Sequence, residues 1–570
     1  MSLFSLRRIA SAVLLFCASV AMAAGVPAEH EELEASIDAP FRGDDHGARV
    51  FGIELLYPGA AAVPVAWQLE IVSDSGVLRR WNGNAQAGDR VNRLSLTWDG
   101  RDDDGLPLPL GIYRLQFAAI DGDAKRLEQG LAALAAGEHL ANPVERPLLQ
   151  EWDVAVGTPP PVRMPTFVPL PVAAQPLIRR SNGSGPAYTI YYGNLHSQTN
   201  HSDGGGDLST CNNAEAPQDG AFGPADAFAY ARGHGLDFLM ASEHNHMYDG
   251  SNGTNANALQ QAALDLYQSG LDLTTGFNTA HPDFLAIYGM EWGVTTNGGH
   301  LNIIGADALY GWEYNVGNQL IGSFYTPKSD YASLYTFMRG QQVLGQFNHP
   351  ASSGQFVIDG VALAQTADGD DVMVLAEVLN SSAFSISTTE EETSRTSYES
   401  VWKKLLERGY HVAPASNQDN HCANWGASYG NRTAVLIPAG LPLNAQSFHD
   451  ALRARRVFAT TDKTGQILLS SREHVMGSRF ANDGALTLRV DYASGSGRVA
   501  SQVQIYEGVP GRNGTVTLAA GTALTTLNPS AGEHFYYAKI TQDDGRLLWS
   551  APIWVTQLAA GDVIFQSDFF

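Results

Sequence analysis

The rhythm of hydrophobic and polar positions changes along the chain, and each change marks a boundary. From residue 25 to about 155 apolar and polar residues alternate, as in Val65-Ala-Trp-Gln-Leu-Glu-Ile-Val72 and Leu94-Ser-Leu-Thr-Trp98. A period of two is that of half-buried strands, so an all-β module is expected here. Residues 156 to 187 carry Pro159, Pro160, Pro161, Pro165, Pro169, Pro171 and Pro176, a stiff linker. From residue 188 to about 462 short apolar runs alternate with helical periodicity. Helices are predicted from Pro224, Tyr331, Tyr398 and Ala445, the first opening with Pro at its first position. Strands are predicted around Phe238, Phe284, His300, Leu344, Met373, Ala413 and Thr433. From 463 to 560 two-residue alternation returns, as in Leu486-Thr-Leu-Arg-Val-Asp-Tyr492, and predicts a second antiparallel sandwich. Residues 561–570 are an apolar tail to which no role is assigned.

The predicted strands of the middle region end in polar residues. Tyr188 to Tyr192 runs into His196, Gln198, His201 and Asp203, followed by Gly204 to Gly206. The strand after Asp237 ends in Glu243-His244-Asn245-His246, the next in Glu291, and later ones in Asn348-His349, Glu377 and Asp419-Asn-His421. His300 opens its strand instead. In a β/α barrel the C-terminal strand ends gather on one face, so residues more than 200 positions apart are expected to share one cavity. Imidazoles mixed with carboxylates suit a divalent cation of the zinc, manganese or iron type. Asn380 and Arg432 are candidate substrate contacts. His30, His46, His139, His234, His281, His411, His449, His474 and His534 lack such context and are read as structural.

Composition narrows the partners. The chain has 570 residues, 58 of them Gly, only 16% charged residues and a formal net charge of −24. Such an acidic surface argues against non-specific nucleic-acid binding, which needs Lys and Arg. Arg7 and Arg8, the apolar run Ile9 to Val20 and Ala21-Met22-Ala23 read as a secretory signal peptide over residues 1–23, cleaved near Ala23. The mature protein is therefore expected to be secreted or periplasmic, and no later stretch reads as transmembrane. Cys211 and Cys422 then remain. Two readings stay open for them, a disulfide bracing two site loops and a pair of free thiols.

Two resemblances follow from these residues. WDGRDDDGLPLPLGIY, Trp98 to Tyr113, is similar to the Ig-like module of flagellar hook-capping proteins. Its Asp99, Asp102, Asp103 and Asp104 miss the EF-hand spacing and read as an acidic hairpin turn. The middle region resembles the polymerase-and-histidinol-phosphatase (PHP) superfamily of metal-dependent hydrolases, in its secreted branch related to carbaryl hydrolase. The motifs are His196-Ser-Gln198 with Ser202-Asp203-Gly204, Glu243-His244, Glu291 in GMEWG, His300 in GGHLNIIG, His349 in NHP, and Asp419-Asn-His421. Two positions depart from the family pattern: Gln198 stands where a second His is usual, and Glu243 where an Asp is.

The resemblance implies a PHP-type distorted β/α barrel over 188–462, flanked by the two β-sandwiches. It implies two or three divalent ions (Mn, Zn or Fe). His196, Glu291 and Asp419 would hold one, with Glu291 bridging to a second on His300 and His349, and Asp203, His244 and His421 would hold a third. His196, Asp203, His244, Glu291, His349, Asp419 and His421 are the expected catalytic set. Gln198, His201, Glu243, His246 and Glu377 are expected around it. The implied activity is an exported phosphoesterase, or an esterase for carboxylic or carbamic esters, using metal-bound hydroxide on a small or polymeric substrate. No His-Glu-x-x-His motif offers another route. Gln198 keeps an alternative open, a catalytically impaired binding or surface-attachment protein, and a metal-dependent nuclease is a third reading.

Overall fold

The computed structural model describes residues 33–44, 47–57, 61–135, 147–173, 188–294, 298–328, 330–350, 357–358, 361–362 and 364–559. The signal segment, the C-terminal tail, His30, His46 and His139 lie outside them.

The N-terminal module is built of two sheets. Val63–Ser73, Gly76–Ala87, Gly111–Asp121 and Leu148–Val156 form one antiparallel sheet. Glu34–Asp38, Arg49–Leu56 and Asn92–Trp98 form the other face. Phe51, Ile53, Trp67, Leu69, Trp98, Leu115 and Phe117 fill the space between them, as the alternation predicts. Trp98 is buried and its indole N–H donates to the Arg101 carbonyl, so the Asp99–Asp104 segment is the acidic turn expected. One helix, Ala124–Ala135, interrupts the all-β expectation; its sequence AKRLEQGLAALA is rich in strong helix formers.

The linker is not a free spacer. Its Val162 amide donates to the Ala500 carbonyl, Leu170 exchanges hydrogen bonds with the Gln466 side chain, and the Ile190 amide donates to the Pro171 carbonyl. Residues 157–173 thus run against the C-terminal module.

The expectation of a β/α barrel is corrected by the structure. Among the described residues strand outweighs helix, 42% against 17%. Within the middle region, parallel ladders join Tyr188–Asn194 to Phe238–His244, the latter to Leu285–Val294, Leu344–Phe347 to Met373–Ser381, and the latter to Ala413–Asn417. Gly299–Ile304, however, pairs antiparallel with both its neighbours. Arg432–Pro438 pairs antiparallel with Tyr188–Asn194 and with Val457–Thr460. Among the described residues no ladder joins Ala413–Asn417 to Arg432–Pro438. The sheet instead runs on through Val457–Thr460 into Leu547–Ser550 of the C-terminal module. It is an extended mixed sheet. The strand–helix alternation in the sequence was real, but local periodicity does not record strand direction or closure.

The predicted helices appear as Pro224–Gly233, Tyr331–Gln341, Glu399–Glu407 and Ala445–Arg453. The longest, Gln260–Ala280, escaped the sequence reading. It buries only Ala263, Tyr267 and Gly270, so its apolar stripe is thin.

In the C-terminal module Gly465–Ser471, Leu486–Ser494 and Leu524–Leu527 form one sheet. Ala500–Gly508, Gly532–Gln542 and Ile553–Gln557 belong to the other. All three modules meet at one buried ionic group. Lys539 Nζ lies 2.8 Å from Glu399 and 3.7 Å from Asp153, and Lys403 Nζ lies 3.0 Å from Glu399 and 3.6 Å from Glu151.

Candidate metal centre

Six separated segments converge on one cleft. The loop after Tyr188–Asn194 is laid alongside the loop after Ala413–Asn417: Asp419 donates its amide to the His196 carbonyl, Gln198 to Asn420, and Gly206 to His421. The Trp425 indole N–H donates to the Gln198 carbonyl. A Cys211–Cys422 disulfide, Cα–Cα 5.7 Å, closes the same pair of loops, which resolves the two readings left open for the cysteines. Asp203 and His421, one on each loop, are therefore fixed relative to each other.

His300 reaches the site from the start of its strand because that strand runs antiparallel to its neighbours. Its N-terminal end lies beside the C-terminal end of Leu285–Val294, in register with Gly293.

Three groups of donor atoms lie mutually within 4.8 Å: His196, His349 and Asp419; Asp203, His244 and His421; and His244, Glu291 and His300. All eight expected ligands are present. The third expected grouping appears as implied. The other two are partitioned differently, with His349 beside His196 and Asp419, and Glu291 beside His244 and His300. Glu291 is nonetheless the hub. Its carboxylate lies 2.9 Å from His196 Nε2, 3.1 Å from His349 Nε2 and 3.1 Å from His300 Nδ1. Asn348 donates to its Oε1 at 2.8 Å.

The surrounding residues now have distinct positions. Glu377 lies 2.9 Å from His196 Nδ1, accepts from the His349 amide at 2.6 Å, and is itself held by Asn380 and Asn417. It fixes the His196 ring with Nε2 toward the cleft, the role a carboxylate plays behind a ligand imidazole. Gln198 donates through Nε2 to Glu291 Oε2 at 2.6 Å, with its amide oxygen 3.0 Å from Ser202 Oγ, so its amide faces the cluster. Glu243 points elsewhere, accepting from the Thr199 and Ser202 hydroxyls and bracing the first loop. His201 is turned away onto the Tyr288 hydroxyl at 2.6 Å, and burial pushes it down to about 4. His246 stacks on Trp312 and joins none of the three groups. Arg432 is not a cleft residue: it is buried against Glu390 at 2.6 Å and the Tyr429 and Asn431 carbonyls. Asn380 does line the cleft.

Two candidate donor positions have left-handed backbone, His349 at φ 25° and Asp419 at φ 50°. For His this conformation is costly, and the Glu377 contact to its amide helps hold it.

The electrostatics fit a cationic guest. Burial pushes Asp203 up to about 6, against the pull of His421 and His246. Burial opposes protonation of His349, yet Glu291 outweighs it and lifts the ring to about 9. Burial likewise disfavours charge on His196, but Asp419, Glu291 and Glu377 together raise it well above the usual histidine range. Clustered buried carboxylates draw positive charge to themselves. Five imidazoles, two Asp and one Glu suit divalent cations of the borderline type.

The cleft itself measures about 420 Å³ and is not made by the middle region alone. Glu34, Leu56 and Leu148 of the N-terminal module form part of its wall, as do Tyr398 and Phe384. Sequence reasoning missed Glu34 and gave Asn348 and Asn417 no role. Glu34 sits in an ordinary alternating strand with no motif, and no local signal marks it.

No family model matches the chain, and no curated protein matches it. Among solved structures, the β-glucuronidase of Bacteroides uniformis aligns at 10% identity and a TM-score of 0.15, over 92% of this chain and 61% of its own. This chain thus spans about three fifths of that protein. A putative β-galactosidase from Bacteroides fragilis aligns at 10% identity and a TM-score of 0.14, over 93% of this chain and 74% of its own. Likeness of that degree identifies neither fold nor reaction.

Proposed function

We propose that the protein is an exported, divalent-metal-dependent hydrolase of phosphoesters. The observation that carries this reading is the convergence of His196, Asp203, His244, Glu291, His300, His349, Asp419 and His421 into three overlapping donor groups. The ordered motifs add the resemblance to PHP-type hydrolases in donor set, though not in fold. The Cys211–Cys422 disulfide suits an oxidising compartment. Cations bound there would polarise a phosphoryl oxygen and acidify a water molecule.

The chain's own residues have definite tasks in this reading. Glu377 orients His196, and Asn348 fixes one oxygen of Glu291. The disulfide keeps together the two loops that carry Asp203 and His421, whose donor atoms lie 3.6 Å apart. The cleft lies between modules, so an ester enters beside the N-terminal sandwich and water is displaced from its reacting end.

Gln198 supports a second reading, a binding protein without turnover. Its N–H₂ donates to Glu291 Oε2, where an imidazole would present a lone pair to a cation. A nuclease is disfavoured because no Lys or Arg lines the cleft among the described residues.

The test is elemental analysis of the purified protein for Mn, Fe and Zn, followed by assay of aryl phosphodiester, phosphomonoester and carboxyl esters with each metal. Stoichiometric metal with phosphoester turnover that His421→Ala abolishes supports the hydrolase. Bound metal with no ester turned over supports the binding protein.

A further inference from the structure

The wall of the cleft supplied by the N-terminal module carries chemistry that metal ligation does not use. Glu34–Asp38 alternates half-buried and buried residues. Ala35 and Ile37 face the sandwich core, while Glu34 and Ser36 line the cleft. The strand is pinned to the middle region. Ile37 pairs with Arg395, the Thr396 hydroxyl donates to the Ala35 carbonyl at 3.1 Å, and Gln150 donates to the same carbonyl at 2.6 Å while accepting from the Ser397 amide. Glu34 is thereby held at a fixed place facing the metal centre.

The charge balance of the cleft is one-sided. Glu34, Glu54, Asp203, Glu215, Glu291 and Asp419 line it, and among the described residues no Lys or Arg does. Asp203, Glu291 and Asp419 belong to the donor groups. Glu54 is paired at 2.7 Å with Arg93, whose guanidinium stands in solvent. Glu34 has no Lys or Arg partner among the described residues. Burial raises its carboxyl, with His349 and His421 acting against that and Asp419 with it. Tyr398 feels the Glu34 charge, and Phe384, Leu33 and Leu148 line the same cavity. A carboxylate among aromatic and aliphatic surfaces is the chemistry that recognises an alkylated ammonium group.

We infer that Glu34 is a specificity-determining residue that selects phosphoesters whose non-reacting substituent carries an ammonium group. This rests on the phosphoesterase reading above. In it, the phosphoryl group meets the cations while the substituent lies along the N-terminal wall. A polyanionic substituent would face Glu34, Glu54 and Glu215 and be repelled.

The experiment uses the full metal-loaded chain and three chromogenic phosphodiesters: p-nitrophenyl phosphorylcholine, bis(p-nitrophenyl) phosphate and the p-nitrophenyl ester of thymidine monophosphate. The choline ester is expected to exceed bis(p-nitrophenyl) phosphate, whose substituent is uncharged, in kcat/KM by about tenfold or more, mostly through KM. In Glu34→Gln that ratio falls toward unity, and in Glu34→Lys it inverts. An unchanged ratio in Glu34→Gln, or equal losses on all three esters, overturns the inference. Calorimetric titration with phosphorylcholine and inorganic phosphate reads the same contact without turnover. Phosphorylcholine is expected to bind tighter, with the advantage lost in Glu34→Gln. Equal binding of the two by the unaltered chain overturns the inference. If no ester turns over but the Glu34-dependent preference in binding persists, the hydrolase reading fails and this one stands.

Discussion

Two buried charged assemblies in this protein have opposite logic. At the junction of the three modules, Glu399, Glu151 and Asp153 meet Lys403 and Lys539, and the Trp549 indole adds a hydrogen bond at 3.0 Å. The chain supplies both signs of charge there. In the cleft, the only side chains able to carry positive charge toward Glu291, Asp203, Asp419, Glu377 and Glu34 are imidazoles, among the described residues. Removing charges from water is costly, and a chain that wants only stability compensates within itself, as at Glu399. In the cleft the positive charge rests on titratable imidazoles, which a bound cation would replace. The difference separates a structural ionic lock from a site, although both are buried and both are rich in carboxylates.

The comparison breaks most sharply if His421 is truncated. His421→Ala removes a donor from the Asp203–His244 group without touching the module junction. Ester turnover is expected to fall by about a thousandfold or more, with the thermal midpoint of the metal-free protein little changed. Steady-state kinetics and calorimetry on the same preparation check both halves. A large loss of stability with modest loss of turnover would make the cleft a structural cluster instead.

Glu399→Ala makes the converse cut. It leaves Lys539 and Lys403 buried beside only Glu151 and Asp153, and is expected to cost about 3–5 kcal/mol in denaturant unfolding. Metal content should be unaltered. The pH dependence has a definite sign. Burial raises the Glu399 carboxyl, but Lys403 and Lys539 outweigh it and hold the group far below its ordinary value of 4.5. A depressed carboxyl contributes stability above its unfolded pKa, and that stability is lost as pH falls toward the folded one. The stability gap between the unaltered chain and Glu399→Gln should therefore be flat above about pH 6 and shrink steadily below about pH 4.5. A gap that grows on acidification would mean that Glu399 is not charged in the fold.

Glu377→Gln tests the scaffold behind the ligands. It keeps shape but weakens the acceptor at His196 Nδ1. Metal affinity is expected to fall about 10- to 100-fold, read by competition with a chromogenic chelator. An effect on turnover with metal affinity unchanged would place Glu377 in the reaction itself.

How much of this was legible in the sequence follows from what is local. Alternation at Val65–Val72 and Leu94–Trp98, and the helical stretches beginning at Pro224, Tyr331, Tyr398 and Ala445, are short-range patterns, and each corresponds to an element. Most of the eight candidate donors were readable because they sit at or just beyond strand ends, although Glu291 lies inside Leu285–Val294 rather than at its end. Direction and closure were not readable. Nothing in GGHLNIIG says that Gly299–Ile304 runs antiparallel, and that reversal, with the open run of the sheet into the C-terminal module, replaced the expected barrel. Arg432 looked available from its loop-like neighbours but is consumed by Glu390. Glu34 could not be found, since its importance lies in which surface its strand docks against.

The smallest expected effect concerns the residue that separates the two functional readings. Gln198 places an N–H donor 2.6 Å from Glu291 Oε2, occupying the lone pair most useful to a cation. Ser202 Oγ lies 3.0 Å from the amide oxygen but 2.6 Å from Glu243, so its single proton is contested between the two. Replacing Gln198 by histidine puts a ring nitrogen at the same place in a loop already fixed by the Asn420 and Trp425 contacts. Gln198→His is expected to tighten binding of one ion by about tenfold, or about 1.4 kcal/mol, and to raise turnover by no more than that. If turnover appears only in the histidine variant, the natural chain is the binding protein. If both turn over and differ by less than about tenfold, Gln198 tunes one ion without disabling the site.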